Sequence, residues 1–196
     1  MRILIWFLAF PFAAIADVDV QLQAELMAMK EQDQQLRQEV GRAGWQHAPK
    51  AILEQLSRID KENSDRLEAI AQELGWPTKS LVGEDGVGAA FLIVQHSPNL
   101  AFKKRMLASI TTSYRNGDGI SGQEVALLTD RILVAKGEKQ RFGTQAELTD
   151  GKVILYPIED EANVDKRRSE MNMPPLKDYM RLMEQAYGIK DPADAK

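Results

Sequence analysis

The sequence contains no cysteine and only two histidines, His47 and His96. The missing thiols exclude disulfides, thiolate metal sites and cysteine nucleophiles, so stability must rest on packing alone. They also exclude lipid attachment through a cysteine at a processed N-terminus. Basic blocks are absent as well: 25 Lys and Arg stand against 29 Asp and Glu, for a net charge of −4. Binding to nucleic acid through its phosphate backbone is therefore not expected. Beyond the N-terminal segment, no apolar run approaches the roughly 18–20 residues that a membrane crossing needs. Catalytic signatures are also missing. There is no GxSxG elbow, no HExxH or HxxxH spacing, and LVGEDGVGAA lacks the Lys-Ser/Thr of a phosphate-cradling loop.

What is present starts with MRILIWFLAFPFAAIA. Arg2 is a short positive region, Ile3 to Ala13 is apolar, and Ala14-Ile15-Ala16 has small residues spaced as for cleavage. This pattern predicts a secretory signal over residues 1–16 and export to the periplasm or the medium, with no membrane insertion after cleavage. Loss of Arg2 would leave the rest one charge more negative. Residues 17–196 are enough for a single globular domain with its own core, with 190–196 frayed at the end.

The remainder reads as α+β and predominantly α-helical: a compact helical domain with one β-hairpin near residues 140–157. Leu22, Leu26, Met29, Leu36 and Val40 define one helical face, and Ile52, Leu56, Ile59, Leu67, Ile70 and Leu74 define a second. Gly75-Trp76-Pro77 stops the second helix and offers an indole to the core. Gly88 to His96 is apolar all round, a buried helix or a strand. Leu100 to Tyr114 forms another helix, and Ser121 with Glu124 makes a capping box for the next. The period then changes: RFGTQAELT and KVILYP flank Asp150-Gly151, a hairpin signal. A short helix bearing Arg167 and Arg168 and an amphipathic helix through Leu176, Tyr179, Met180 and Met183 complete the chain.

Several polar residues interrupt these apolar patterns. Asp33 and Asn63 occupy stripe positions on the first two helices, and Arg37 lies one turn from Asp33. Gln95 and His96 end an apolar run, and Asp130-Arg131 lies between VALLT and ILVA. Gln145 stands on an otherwise polar strand face. Burying such groups without partners costs on the order of 1–3 kcal/mol each, so they join across the core or line a pocket.

The set DQxxR at Asp33-Gln34 and Arg37, GWP at Gly75 to Pro77, QH at Gln95-His96, DR at Asp130-Arg131 and QRFGTQ at Gln140 to Gln145 resembles a bacterial family, domain of unknown function 6624. The following DG, YPI and RR continue the resemblance, which spans about Asp33 to Tyr179. Phe142 stands where that family often carries Tyr. The resemblance implies one domain of this type and lends no activity.

Two functional readings follow. In one, an exported domain binds a small anionic or polar molecule or envelope component. Arg131, Arg168 and His96 hold the anion, with Gln95, Gln145, Arg37 and Asn63 around it. In the other, His96 is the general base of a metal-independent hydrolase or lyase acting on a cell-envelope substrate, oriented by Asp33 or Asp130. No cofactor is expected. Oligomeric state is not legible in the sequence.

Overall fold

A computed structural model describes residues 18–45, 47–149, 151–186 and 189. The expected signal segment and the frayed end at 190–196 lie outside the described residues. The described residues form seven α-helices and one two-stranded antiparallel hairpin, α+β and predominantly helical. They are α1 (Val20–Ala43), α2 (Lys50–Leu74), α3 (Lys79–His96), α4 (Leu100–Arg115), α5 (Gly122–Ala135), β1 (Ala146–Thr149), β2 (Lys152–Leu155), α6 (Val164–Glu170) and α7 (Leu176–Ala186). One 3-10 turn, Glu161–Asn163, precedes α6. Among the described residues no helix is long and apolar enough to cross a membrane.

The apolar stripes bury as their spacing requires. On α1, Leu22, Leu26, Leu36 and Val40 are buried, with Asp33 in the same row. On α2, Leu56, Ile59, Leu67 and Ile70 are buried with Asn63, whereas Leu74 is exposed at the end of its helix. α1 packs on α2 and α3, α3 on α4, and α4 on α5. Asp19 caps α1 through Leu22, and its own amide donates to the Leu81 carbonyl, which ties the start of α1 to α3. Trp76 enters the main core as its GWP setting suggests.

The Gly88–His96 run is helical. It is the second part of α3, which kinks at Gly83, where φ is 67°. Six of its nine residues are buried and the other three half-buried, because α1, α2 and α4 all contact this helix. Asn99 caps α4 through Phe102, and the Ser121–Glu124 capping box opens α5 as expected.

The hairpin is shorter than the sequence suggests. β1 pairs with β2 from Ala146↔Leu155 to Thr149↔Lys152, and the preceding residues 140–145 form a loop. Gly143 accounts for part of this: its φ of 70° departs from a strand, and a side chain there would collide with Leu176. Asp130 accounts for the rest by drawing the amides of that loop inward.

Candidate functional site

One turn of α1, the middle of α2 and the last residue of α3 bring four polar side chains together. Asp33 is the most deeply placed, its side chain only 3% exposed. His96 Nδ1 lies 2.9 and 3.0 Å from the two Asp33 oxygens. Arg37, one helical turn from Asp33, puts Nε 3.0 Å from Asp33 Oδ1 and 2.9 Å from His96 Nδ1. Its Nη2 donates to Asp60 Oδ1 at 2.6 Å. His96 and Arg37 are each 20% exposed and Asp60 15%, so solvent reaches the cluster from the side opposite its Asp33 floor.

The contacts at Nδ1 are exclusive. With its proton on Nδ1, His96 donates to Asp33, Arg37 Nε–H turns to Asp33 Oδ1, and Nε2 is left as the basic nitrogen. With Nδ1 deprotonated, it accepts from Arg37 instead. Asp33 decides between them. Burial opposes its ionisation, but the hydrogen bond and charge of His96, the Gln34 amide at 2.7 Å and the Arg37 charge outweigh it and hold the carboxyl down at about 2. An ionised Asp33 favours the proton on Nδ1. Nε2 makes no hydrogen bond among the described residues. Asp60 is pushed the other way, upward, by burial and by its neighbour Asp33, against the pull of Arg37.

Asp33, Asp60 and His96 each offer a ligand atom, all within 4.8 Å of one another, a geometry open to a metal ion. Arg37 contacts all three residues, so a cation already occupies their centre and a metal would have to displace the guanidinium.

Two further cations adjoin this cluster. Lys103 of α4 is half-buried, and burial together with the Arg131 charge lowers its ammonium to about 8, with Asp60 opposing and Arg37 assisting. Arg131 of α5 has a buried Nε with no hydrogen-bond partner, and burial and Arg37 both press against its charge. Among the described residues neither Lys103 nor Arg131 has a carboxylate within 4 Å.

The other expected site residues lie apart from His96 or serve the scaffold. Asp130, fully buried, accepts from the amides of Arg141 (2.7 Å), Phe142 (3.1 Å) and Thr144 (3.0 Å) and from the Thr144 hydroxyl (2.9 Å). It organises the QRFGTQ loop and makes no contact with His96. Phe142 is buried against Ala126 and Met173, so the ring at this position is core. Gln140 closes the same loop, accepting from the Gln145 amide and donating to the Gln145 and Tyr156 carbonyls. The Gln145 side chain reaches Thr144 Oγ1 at 3.1 Å, beside Asp130. Arg168, with no exposed surface, donates to the Phe142 and Pro174 carbonyls at 2.6 and 2.7 Å, and its guanidinium lies 4.8 Å from the Tyr179 ring centre. Asn63 donates to the Met29 carbonyl, joining α2 to α1. Gln95 is buried with Oε1 unpaired.

Sequence reading missed Asp60 and Lys103. Both fall in charged runs, IDKENSD and AFKKRM, that read as solvated helix faces. Asp60 stands next to the buried Ile59 and three residues before the buried Asn63, and that flank was the available signal. Surface clefts of about 260 to 710 Å³ include one lined by Leu176 and Met180 between α6 and α7, and one along α1 that Gln34 borders.

Comparison with curated proteins and with solved structures returned no match. The family model for the family of unknown function DUF6624 matches residues 20–191, from the first turn of α1 to beyond α7. That span takes in the His96 cluster and the Asp130 loop alike, and the chain belongs to this family.

Proposed function

We propose that this protein is an exported, metal-independent acid–base enzyme, a hydrolase or lyase working on a cell-envelope substrate, with His96 as general base. One observation carries the reading: His96 is held through Nδ1 by a buried, ionised Asp33, while Nε2 has no hydrogen-bond partner among the described residues. A carboxylate behind an imidazole fixes its tautomer and stabilises the imidazolium formed when Nε2 takes a proton. Arg37 is committed to Asp33 and Asp60, and so serves as a positioning residue. Export rests on the pattern of residues 1–16.

The second reading is an exported domain that holds a small anionic or polar ligand without turning it over. The unpaired Arg131 favours it, because a desolvated guanidinium without a carboxylate is suited to an anion.

The test is turnover. The protein from residue 17 onward is assayed against chromogenic carboxylic esters, phosphodiesters and glycosides between pH 5 and 9, with and without a chelator. Hydrolysis of one class, unaffected by chelation and reduced at least ~100-fold by His96→Gln at an unchanged melting temperature, supports the enzyme. Equal rates in the variant, or its unfolding, would assign His96 to the scaffold. An inert panel, with a small molecule co-purifying by mass spectrometry, selects the binding reading.

A further inference from the structure

We propose that Lys103 and Arg131 form an anion subsite beside His96, and that the group it anchors is a phosphoryl dianion such as the terminus of a phosphomonoester. This rests on the reading that a small ligand occupies the His96 cluster, and it names that ligand's class.

The two cations come from α4 and α5, neighbouring helices joined by a short turn. Arg131 Nε is buried without a partner, and Lys103 is half-buried with no hydrogen bond or ion pair among the described residues. The charged groups around Lys103 are Arg131 from α5, Asp60 from α2 and Arg37 from α1. Around Arg131 the charged neighbour is Arg37, and α7 adds the titratable phenol of Tyr179. Asp60 is already taken by Arg37 Nη2 at 2.6 Å, and Asp33 by Arg37 and His96. Three cations thus meet two carboxylates, both of them engaged by Arg37, so the surplus positive charge is shared by Lys103 and Arg131.

Two desolvated like charges without a counter-ion disfavour each other's charged form, and the lowered Lys103 ammonium and Arg131 guanidinium register that cost. A bound anion removes it. The chemistry of the heads selects the anion. A guanidinium fork alone satisfies a planar carboxylate bidentately, whereas adding a mobile ammonium point charge from a second helix suits a tetrahedral group with more oxygens and two negative charges.

The experiment is isothermal titration of the protein from residue 17 onward with inorganic phosphate, sulfate and acetate, for the native chain and for Lys103→Gln, Arg131→Gln and, as a charge-matched control on the exposed side of α4, Lys104→Gln. Phosphate and sulfate are expected to bind at least ~10-fold more tightly than acetate. Either subsite substitution should weaken phosphate at least ~10-fold, while Lys104→Gln leaves it within ~2-fold. Affinity should fall above about pH 8 as Lys103 loses its proton. In Arg131→Gln that limb should move to higher pH, because the charge opposing the ammonium is gone. Lys103→Met and Arg131→Met, with apolar ends in place of the cations, serve as folded checks by melting temperature. Acetate binding as well as phosphate, native affinity in the subsite variants, or no anion binding at millimolar concentration overturns the proposal. Phosphate binding is read without turnover. An inert substrate panel with Lys103-dependent phosphate binding therefore removes the catalytic reading alone, and turnover without phosphate binding removes this one alone.

Discussion

Asp33 and Asp130 are both buried carboxylates within the span matched by the DUF6624 family model, yet their surroundings are opposite in kind. Asp130 receives three backbone amides and one hydroxyl, all from the single loop of residues 140–145. Its donors are neutral and fixed by the chain, so the group has one arrangement and nothing left to exchange. Asp33 instead faces an imidazole and a guanidinium from the side chains of α3 and α1, with Gln34 alongside. Those partners are titratable or charged, have alternative contacts, and leave His96 Nε2 open. A saturated buried charge organises backbone; a shared one is poised for proton transfer or ligand binding.

The contrast can be broken by substitution. The largest effect belongs to Asp130→Ala, which strands several buried donors at once. A loss of about 3–4 kcal/mol in urea unfolding is expected, and a loss under about 1 kcal/mol would mean the loop finds other partners. Arg168→Met comes next. It removes the charge-assisted donors to the Phe142 and Pro174 carbonyls, and should cost about 2–3 kcal/mol by the same measurement. Native-like unfolding would show that Arg168 is not part of the loop's support.

Asp33 gives a smaller, pH-dependent effect. Its folded carboxyl sits at about 2, below the ~3.9 of an unfolded chain. The stabilisation is therefore complete above about pH 4 and disappears as pH falls toward 2, a limb of about 2 kcal/mol. Asp33→Asn should abolish that limb in unfolding measured from pH 2 to 5, and its persistence would mean another carboxylate carries it. The smallest effect has the opposite sign. Lys103→Met removes a desolvated ammonium and should raise stability by about 0.5–1 kcal/mol while phosphate binding is lost, the compromise expected of a functional charge. A destabilised variant would make Lys103 a structural residue.

Much of the scaffold was legible because burial follows periodicity. The rows through Leu26 and Val40 on α1 and Leu67 on α2, the Ser121–Glu124 box and the turn after Trp76 are local patterns with local causes. Asp33 and His96 were visible as candidates for a related reason, since a polar group in an apolar row must meet something. The hairpin was overextended because residues 141–145 alternate like a strand, while the amides they would lend to a ladder go to Asp130, a residue on another element. Asp130 and Arg131 were read as one unit because they are adjacent. On a helix, neighbours point about 100° apart. Asp130 thus enters the loop, and Arg131 lies near Arg37 and Lys103.

By itself the sequence determined the helical class, the order of the elements and which polar side chains are denied water, because these depend on spacing along one chain. Only the tertiary structure decided the partners. It joined Asp33 to His96 across 63 positions, recruited Asp60 and Lys103 from charged runs, and gave Asp130 to a loop. Electrostatic pairing acts through distance in space, and that distance is set by how helices pack.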